Sequence, residues 1–312
     1  MEDLIFCEGE PDISFTPAFE ETLFNLRNHR MLQSNTGWIS FYALNGKEKK
    51  IYCCIHFNVG DAVAHSPLRA PFGSVEFAPS LPPEKLFAFL QYAEAALKAK
   101  NITRIIIKAP PENHSEYLPI VHTFFVNLGY RIINSEIAVG IRIADQSLDG
   151  HLHRSERRRL EKARNAGLQF MQLPVKELQR VYNFIATCRH EKKFDLSMPF
   201  ERLQESAAAF PERYILFALY KQDVLTAASI CIRVNENILY DFYHDHSAEY
   251  DHLSPVVMLV AGIYAWCHEQ NIGLLDLGTS ATGNTPNFSL LKFKLLLGGK
   301  PANKFTFQKD LS

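Results

Sequence analysis

The residues best equipped for chemistry gather at the end of the apolar segment ILYDFYH, residues 238–244. Asp241, Tyr243 and His244 fall there, with His246, Glu249 and Tyr250 close behind. An imidazole titrates near neutral pH and can take a proton from an attacking amine, which makes His244, with Asp241, the catalytic candidate. His244 and His246 also have His-x-His spacing, but no further ligands stand at a matching distance, so no metal site is expected. A second group is the basic run RSERRRLEKARNAGLQF, in which Arg154, Arg157, Arg158, Arg159, Lys162 and Arg164 face only Glu156 and Glu161. Arg154, Arg157 and Arg158 share one helical face by their i, i+3, i+4 spacing. Their planar forks suit phosphate oxygens, although a solvated helix between domains would read the same way. Lys294 follows Phe293. It either aims a cation at a developing oxyanion or sits on the surface near a helix C-terminus, where the dipole favours it. Lys292 and Lys294 lie on different helix faces, so only one of them should enter a cleft. Ser254-Pro255 is an N-cap followed by proline at the first helical position. The amides left over at that start, by Ser254 and Val256, would face the phosphates of a bound donor. Asp276 reads first as a turn former before the GTSATGN loop, residues 278–284, and second as a base.

Other chemistries find no motif. There is no G-x-S-x-G elbow, no P-loop and no dinucleotide fingerprint. The six cysteines, Cys7, Cys53, Cys54, Cys188, Cys231 and Cys267, form no C-x-x-C pair, which argues against a disulfide framework, a zinc site or a thiol nucleophile. With 33 Lys+Arg against 34 Asp+Glu the net charge is -1, which argues against a uniformly basic nucleic-acid coat. The 47% hydrophobic and 21% charged residues are those of a globular chain. The N-terminus MEDLIFCEGE is acidic where a signal peptide is basic, and the apolar stretch 256–267 is too short to span a bilayer. A cytoplasmic protein without membrane insertion is expected.

These residues need elements to hold them, and the 312 residues leave room for about two domains. WISFYAL and IYCCIHF flank Asn45-Gly46 as a hairpin. A helix follows Pro82-Pro83 and runs to about Lys100, then the strand TRIIIK, a helix over about 117–128 ending at Gly129, and the strand YRIINSEIAVGIRI. The second half repeats this order. Helices over about 175–189 and after Pro199 precede the strands RYILFALY, LTAASICIRV and ILYDFYH. A helix over 255–270, apolar nearly all round, leads to the strand LLDLG, a helix over about 288–297 and a last strand, KFTF. Lys100-Asn101-Ile102 and Leu128-Gly129 match Gln270-Asn271-Ile272 and Leu297-Gly298 at an offset of about 170. The chain reads as a duplicated α/β unit with mixed sheets: one domain over residues 1–150 and a second over 151–312.

Antiparallel strands followed by helix, strand, helix and strand resemble the Gcn5-related N-acetyltransferase (GNAT) fold. Two in tandem resemble the Fem family of peptidoglycan-bridge aminoacyltransferases. Three stretches carry the likeness: RSERRRLEKARNAGLQF, the long run from YDFYHDH to LLDLG, and LLKFKLLLGGKP. The resemblance implies an acyltransferase that moves an acyl or aminoacyl group from an activated ester or thioester to an amine, by direct attack. It implies that Arg157 or Arg158 holds substrate phosphate and that Lys294 stabilises charge on the donor ester. Arg154, Tyr243 and Tyr250 join the expected substrate site. The donor should sit in an opening between ILYDFYH and LLDLG. The GNAT pyrophosphate loop, Arg/Gln-x-x-Gly-x-Gly/Ala, is replaced here by HDHSAEYDHLSP, which has no glycine, and the first-half counterpart RAPFGS holds only Gly73. The donor is therefore open between acyl-CoA as a co-substrate, with no cofactor bound permanently, and aminoacyl-tRNA. The net charge favours the first. The acceptor would be a small or phosphorylated molecule. The alternative is a non-catalytic GNAT module that binds a phosphorylated ligand.

Overall fold

The computed structural model describes residues 4–144, 147–282 and 285–311. The elements run β1 Leu4–Glu8, β2 Thr16–Pro17, α1 Arg27–Gln33, β3 Trp38–Asn45, β4 Lys50–Gly60, β5 Val63–Ser66, β6 Glu76–Phe77, α2 Pro83–Ala99, β7 Arg104–Lys108, α3 Leu118–Asn127 and β8 Arg131–Arg142. They continue with α4 Arg154–Asn165, β9 Leu168–Leu173, α5 Leu178–Glu191, α6 Phe200–Ala209, β10 Tyr214–Lys221, β11 Val224–Arg233, β12 Ile238–His246, α7 Pro255–Glu269, β13 Leu274–Thr279, β14 Ala281–Thr282, β15 Thr285–Pro286, α8 Phe288–Leu296 and β16 Lys300–Asp310.

Two compact units form, Met1–Glu136 with Asn303–Ser312, and Ile137–Ala302. In the first, the main sheet runs β1-β3-β4-β5-β7-β16; β5 and β7 are parallel and the other pairs antiparallel. In the second, residues 138–142 of β8 lie antiparallel to β13, which is parallel to β12, and β11, β10 and β9 follow antiparallel. Both units are the mixed α/β sheets expected of the duplication. The positive-φ positions repeat too: Asn101 (61°) and Asn271 (56°) after the first crossover helices, and Gly129 and Gly298 (both 89°) after the second.

The boundary differs from the expected 150. Residues 137–142 belong to the second unit because Leu274 registers with Arg142 and Asp276 with Gly140. The last strand does not close the second half: Thr306 registers with Lys108 and Asp310 with Arg104, which places β16 in the first sheet. A strand joins whichever open edge offers matching hydrogen-bond partners, and that edge is remote in sequence.

Each unit has its own core. In the first, α2 turns Leu86, Phe89, Leu90, Ala93 and Leu97 inward against Phe41, Phe57 and Phe125. In the second, α7 is buried on both sides, through Val257, Leu259, Val260, Ile263, Tyr264 and Cys267. Gly262 is the one α7 position with no side chain, and the ring of Phe170 fills that space: a Cβ there would stand 2.3 Å from the ring. No helix among the described residues is long and apolar enough to cross a membrane.

Candidate functional site

In the second unit the parallel strands part. β12 and β13 pair only through Ile238–Tyr240 and Leu274–Asp276, while β12 stays on β11 as far as His246. The parting opens a cleft of about 640 Å³. His244 of β12, the α7 start at Ser254 and Val256, Asn287 and Phe293 around α8, and Arg159, Arg189 and Lys192 line it.

A one-residue bulge decides which side chains look into it. Ile230 registers with Tyr243 but Cys231 with Asp241, so Phe242 is the extra residue. In an even strand Asp241 and His244, three apart, would point to opposite faces. The bulge resets the alternation and puts both on one face with Ser229 and Cys231. Asp241, 4% exposed, accepts from His244 Nδ1 at 2.6 Å through Oδ2 and from the Ser229 hydroxyl at 2.7 Å through Oδ1. Burial works to raise the Asp241 carboxyl, but the charge and hydrogen bond of His244, the Ser229 hydroxyl and the Lys294 cation outweigh it and hold it below the usual carboxylate range. With Nδ1–H given to Asp241, the lone pair of His244 is on Nε2.

Lys294 is not a surface lysine. It is 3% exposed and its ammonium donates to the carbonyls of Gly278 (3.0 Å) and Thr279 (2.7 Å). Burial brings it down to about 8, against the pull of Asp276 and Asp241. It therefore ties α8 to the end of β13 and supplies positive charge behind Asp241. The neighbouring Lys292 is exposed on another face. Asp276 forms the expected turn, accepting from the Gly278 amide at 2.7 Å. Gly283 and Asn284 of the loop that follows lie outside the described residues.

Other expected site residues stand elsewhere. The Tyr243 hydroxyl bonds the Ser197 hydroxyl (2.7 Å) and the Met198 amide (2.9 Å), so it anchors the loop before α6. Tyr250 packs with Ala163, Leu168 and Leu253. Arg157 donates to the carbonyls of Asp149 (3.1 Å) and Leu152 (3.4 Å), and Arg154 and Arg158 are exposed. From α4 it is Arg159, one residue and about 100° further round the helix, that lines the cleft. Ser254 occupies the α7 cap position but makes no side-chain cap bond. Its backbone is left-handed (φ 52°, ψ 53°), whereas a capping hydroxyl needs an extended residue to reach the helix amides. Among the described residues no group of three His, Cys, Asp or Glu side chains is arranged to hold a metal ion. His246 pairs with Asp251 and lies 3.5 Å from Asp245.

Arg189, Lys192, Ser229 and Cys231 also stand at the site, outside the motifs that single out the other residues. The basic run Arg189-His190-Glu191-Lys192-Lys193 at the end of α5 is the signal for the first two. Lys192 lies 2.6 Å and Arg189 3.7 Å from Asp245. Burial would raise Asp245, but His246 and Lys192 bond it and hold it far below the ordinary carboxylate range. Cys231 stays a thiol, since burial and the charge of Asp241 raise it.

No family model matches the chain, and no curated protein does. Solved structures do. FemX superposes with a TM-score of 0.70 at 13% identity, over 93% of this chain and 92% of FemX. A tandem GNAT protein from the clavulanic acid biosynthesis pathway gives 0.53 at 11%, over 99% of both chains. L-PGS from Bacillus licheniformis gives 0.55 at 15%, over 87% of this chain and 83% of L-PGS. At these identities the likeness is one of fold: the chain has the double GNAT-like, Fem-like fold.

Proposed function

We propose that the protein is an acyltransferase that passes an acyl or aminoacyl group from an activated ester or thioester to an amine, in the cleft where β12 and β13 part. The observation that carries this reading is the buried Asp241 holding His244 at 2.6 Å on the cleft wall. The amine nitrogen attacks the donor carbonyl directly. Its proton passes to His244 Nε2, the carbonyl–oxygen or carbonyl–sulfur bond breaks, and the alcohol or thiol leaves with a proton. Asp241 fixes the imidazole tautomer and stabilises the imidazolium that forms. Lys294 acts on the pair through its charge and by holding the carbonyls of Gly278 and Thr279 in place.

The donor's phosphates would meet side chains instead of a glycine cradle. In the β12–α7 loop the Tyr250 amide bonds Ser247, the Ser254 amide bonds Asp251 and the Val257 amide bonds Ser254. Those donors are spent within the loop. Arg159, Arg189 and Lys192 supply the positive charge instead. This fits acyl-CoA or another phosphorylated donor, with aminoacyl-tRNA as the larger alternative.

Thermal shift against coenzyme A, acyl-CoAs, nucleotide sugars and aminoacyl-tRNA, followed by acylation assays on amines with each stabilising donor, tests the reading. Stabilisation by a donor and turnover of it support the acyltransferase. Stabilisation by a phosphorylated ligand with no turnover of any donor would make the protein a binding module.

A further inference from the structure

A second groove, of about 550 Å³, lies on the far side of α8 from Lys294, between that helix and the turn at His151–His153. Its α8 wall is unusual for a water-facing surface. Phe288 is 74% exposed and Leu295 41% exposed. Residues four and three apart fall on one helical stripe, so Phe288, Lys292 and Leu295 line up with Leu291 beside them. The rim is basic: Lys292 and Lys300 are exposed, and among the described residues no acidic side chain lines the groove. The first turns of α4 adjoin it, because Arg157 is bonded to the carbonyls of Asp149 and Leu152 and the His153 amide donates to Leu296. The exposed Arg154 directly follows His153, which lines the groove, and the exposed Arg158 lies one helical turn further along α4. Of the acids nearby, Asp149 is engaged by Arg164 and Glu156 by Arg159, and the exposed Glu161 stands one turn beyond Arg158. A chain of net charge -1 thus carries one face that is locally positive and apolar at once.

We propose that this face docks on an anionic phospholipid bilayer, with Phe288 and Leu295 entering the headgroup–acyl boundary and Lys292, Lys300, Arg154 and Arg158 meeting lipid phosphates. Charge complementarity selects an anionic surface. The aliphatic floor of Leu152, Leu291, Leu295 and Leu296 selects lipid over a nucleic acid, since single-stranded bases need a run of aromatic platforms and Phe288 is the one phenylalanine, tyrosine or tryptophan among the described residues that line the groove. The mode is peripheral, an apolar stripe flanked by cations lying in the interface. The docking face is separate from the His244 cleft and does not depend on the acyl-transfer reading.

Co-sedimentation of the whole chain with phosphatidylcholine vesicles, with and without phosphatidylglycerol, tests it. Binding should require phosphatidylglycerol and weaken with salt. The double substitution Phe288→Ser/Leu295→Ser should weaken it roughly tenfold or more, and Lys292→Glu and Lys300→Glu about fivefold each. These side chains are exposed, so an unchanged Tm is expected and is measured alongside; the charge reversals give a second reading if the apolar pair alters folding. His244→Ala should bind vesicles as the wild type does, which separates this proposal from the acyltransferase. Equal binding to pure phosphatidylcholine, binding unaffected by the substitutions, or binding to single-stranded RNA in preference to phosphatidylglycerol vesicles would each overturn it.

Discussion

Replacing Lys294 with methionine isolates the cost of burying its charge. The lysine is 3% exposed, and burial brings its ammonium from 10.5 to about 8 despite the attraction of Asp276 and Asp241. Between those two values the unfolded chain holds the proton and the folded chain has released it. Stability of the wild type must therefore rise with pH across that window, and the penalty is fully present below it. At about 1.4 kcal/mol per tenfold in proton affinity, the charge costs the fold ~3 kcal/mol at pH 7, of which roughly 2–3 kcal/mol is relieved by about pH 10. The methionine variant has no such proton to lose. It also lacks the bonds to the carbonyls of Gly278 and Thr279, but that loss is common to both pH values and cancels. Urea unfolding of both proteins at about pH 7 and 10 reads the difference. The wild type should gain roughly 2–3 kcal/mol on the variant over that interval. A stability difference that stays constant with pH would refute the picture of Lys294 as a cation paying for its burial.

Three further outcomes follow from the packing and the cleft. Gly262→Ala would normally favour a helix, but its Cβ would stand 2.3 Å from the Phe170 ring, which is itself stacked on Phe217. Thermal melts should show a loss of about 1–3 kcal/mol. Ser229→Ala removes the hydroxyl that bonds Asp241 at 2.7 Å and should cost about 1–3 kcal/mol in urea melts. Arg189→Ala with Lys192→Ala should raise the donor KM roughly tenfold or more, each lost charge-assisted bond being worth about 1.5–3 kcal/mol, with little change in kcat; an unchanged KM would take the phosphate-bearing donor out of this cleft.

Local signals carry most of the fold from Trp38 onward, because turn residues and apolar spacing there agree with the elements that form; β5, over Val63–Ser66, is an exception, since the Pro- and Gly-rich stretch from Ala64 to Ser74 reads as a loop. Before that point they fail for a physical reason: α1 buries His29, Arg30 and Gln33, so it shows no apolar stripe. β9 follows the basic helix with no proline or loop to set it off, only Gly167. The last strand has a plain strand pattern, but the edge it joins is decided by β7, nearly two hundred residues away. The site divides along the same line. His244, Asp241 and Lys294 have chemistry that reads directly from their types. That Asp241 and His244 meet depends on the bulge at Phe242, a property of the β11 register that alternation alone contradicts. Which arginine of α4 reaches the cleft depends on the helix's rotation against the rest of the unit, and the i, i+3, i+4 face of Arg154, Arg157 and Arg158 is not the side turned to it.

The most direct test of the acyl-transfer account is kcat/KM of His244→Ala against wild type, measured with the donor found to turn over and across a pH series. The account predicts a fall of about 10²–10⁴-fold, loss of the decline in rate at acid pH that protonating a general base imposes, and retained donor binding with an unchanged Tm. A variant within a few-fold of wild type, with the same pH profile, would contradict it.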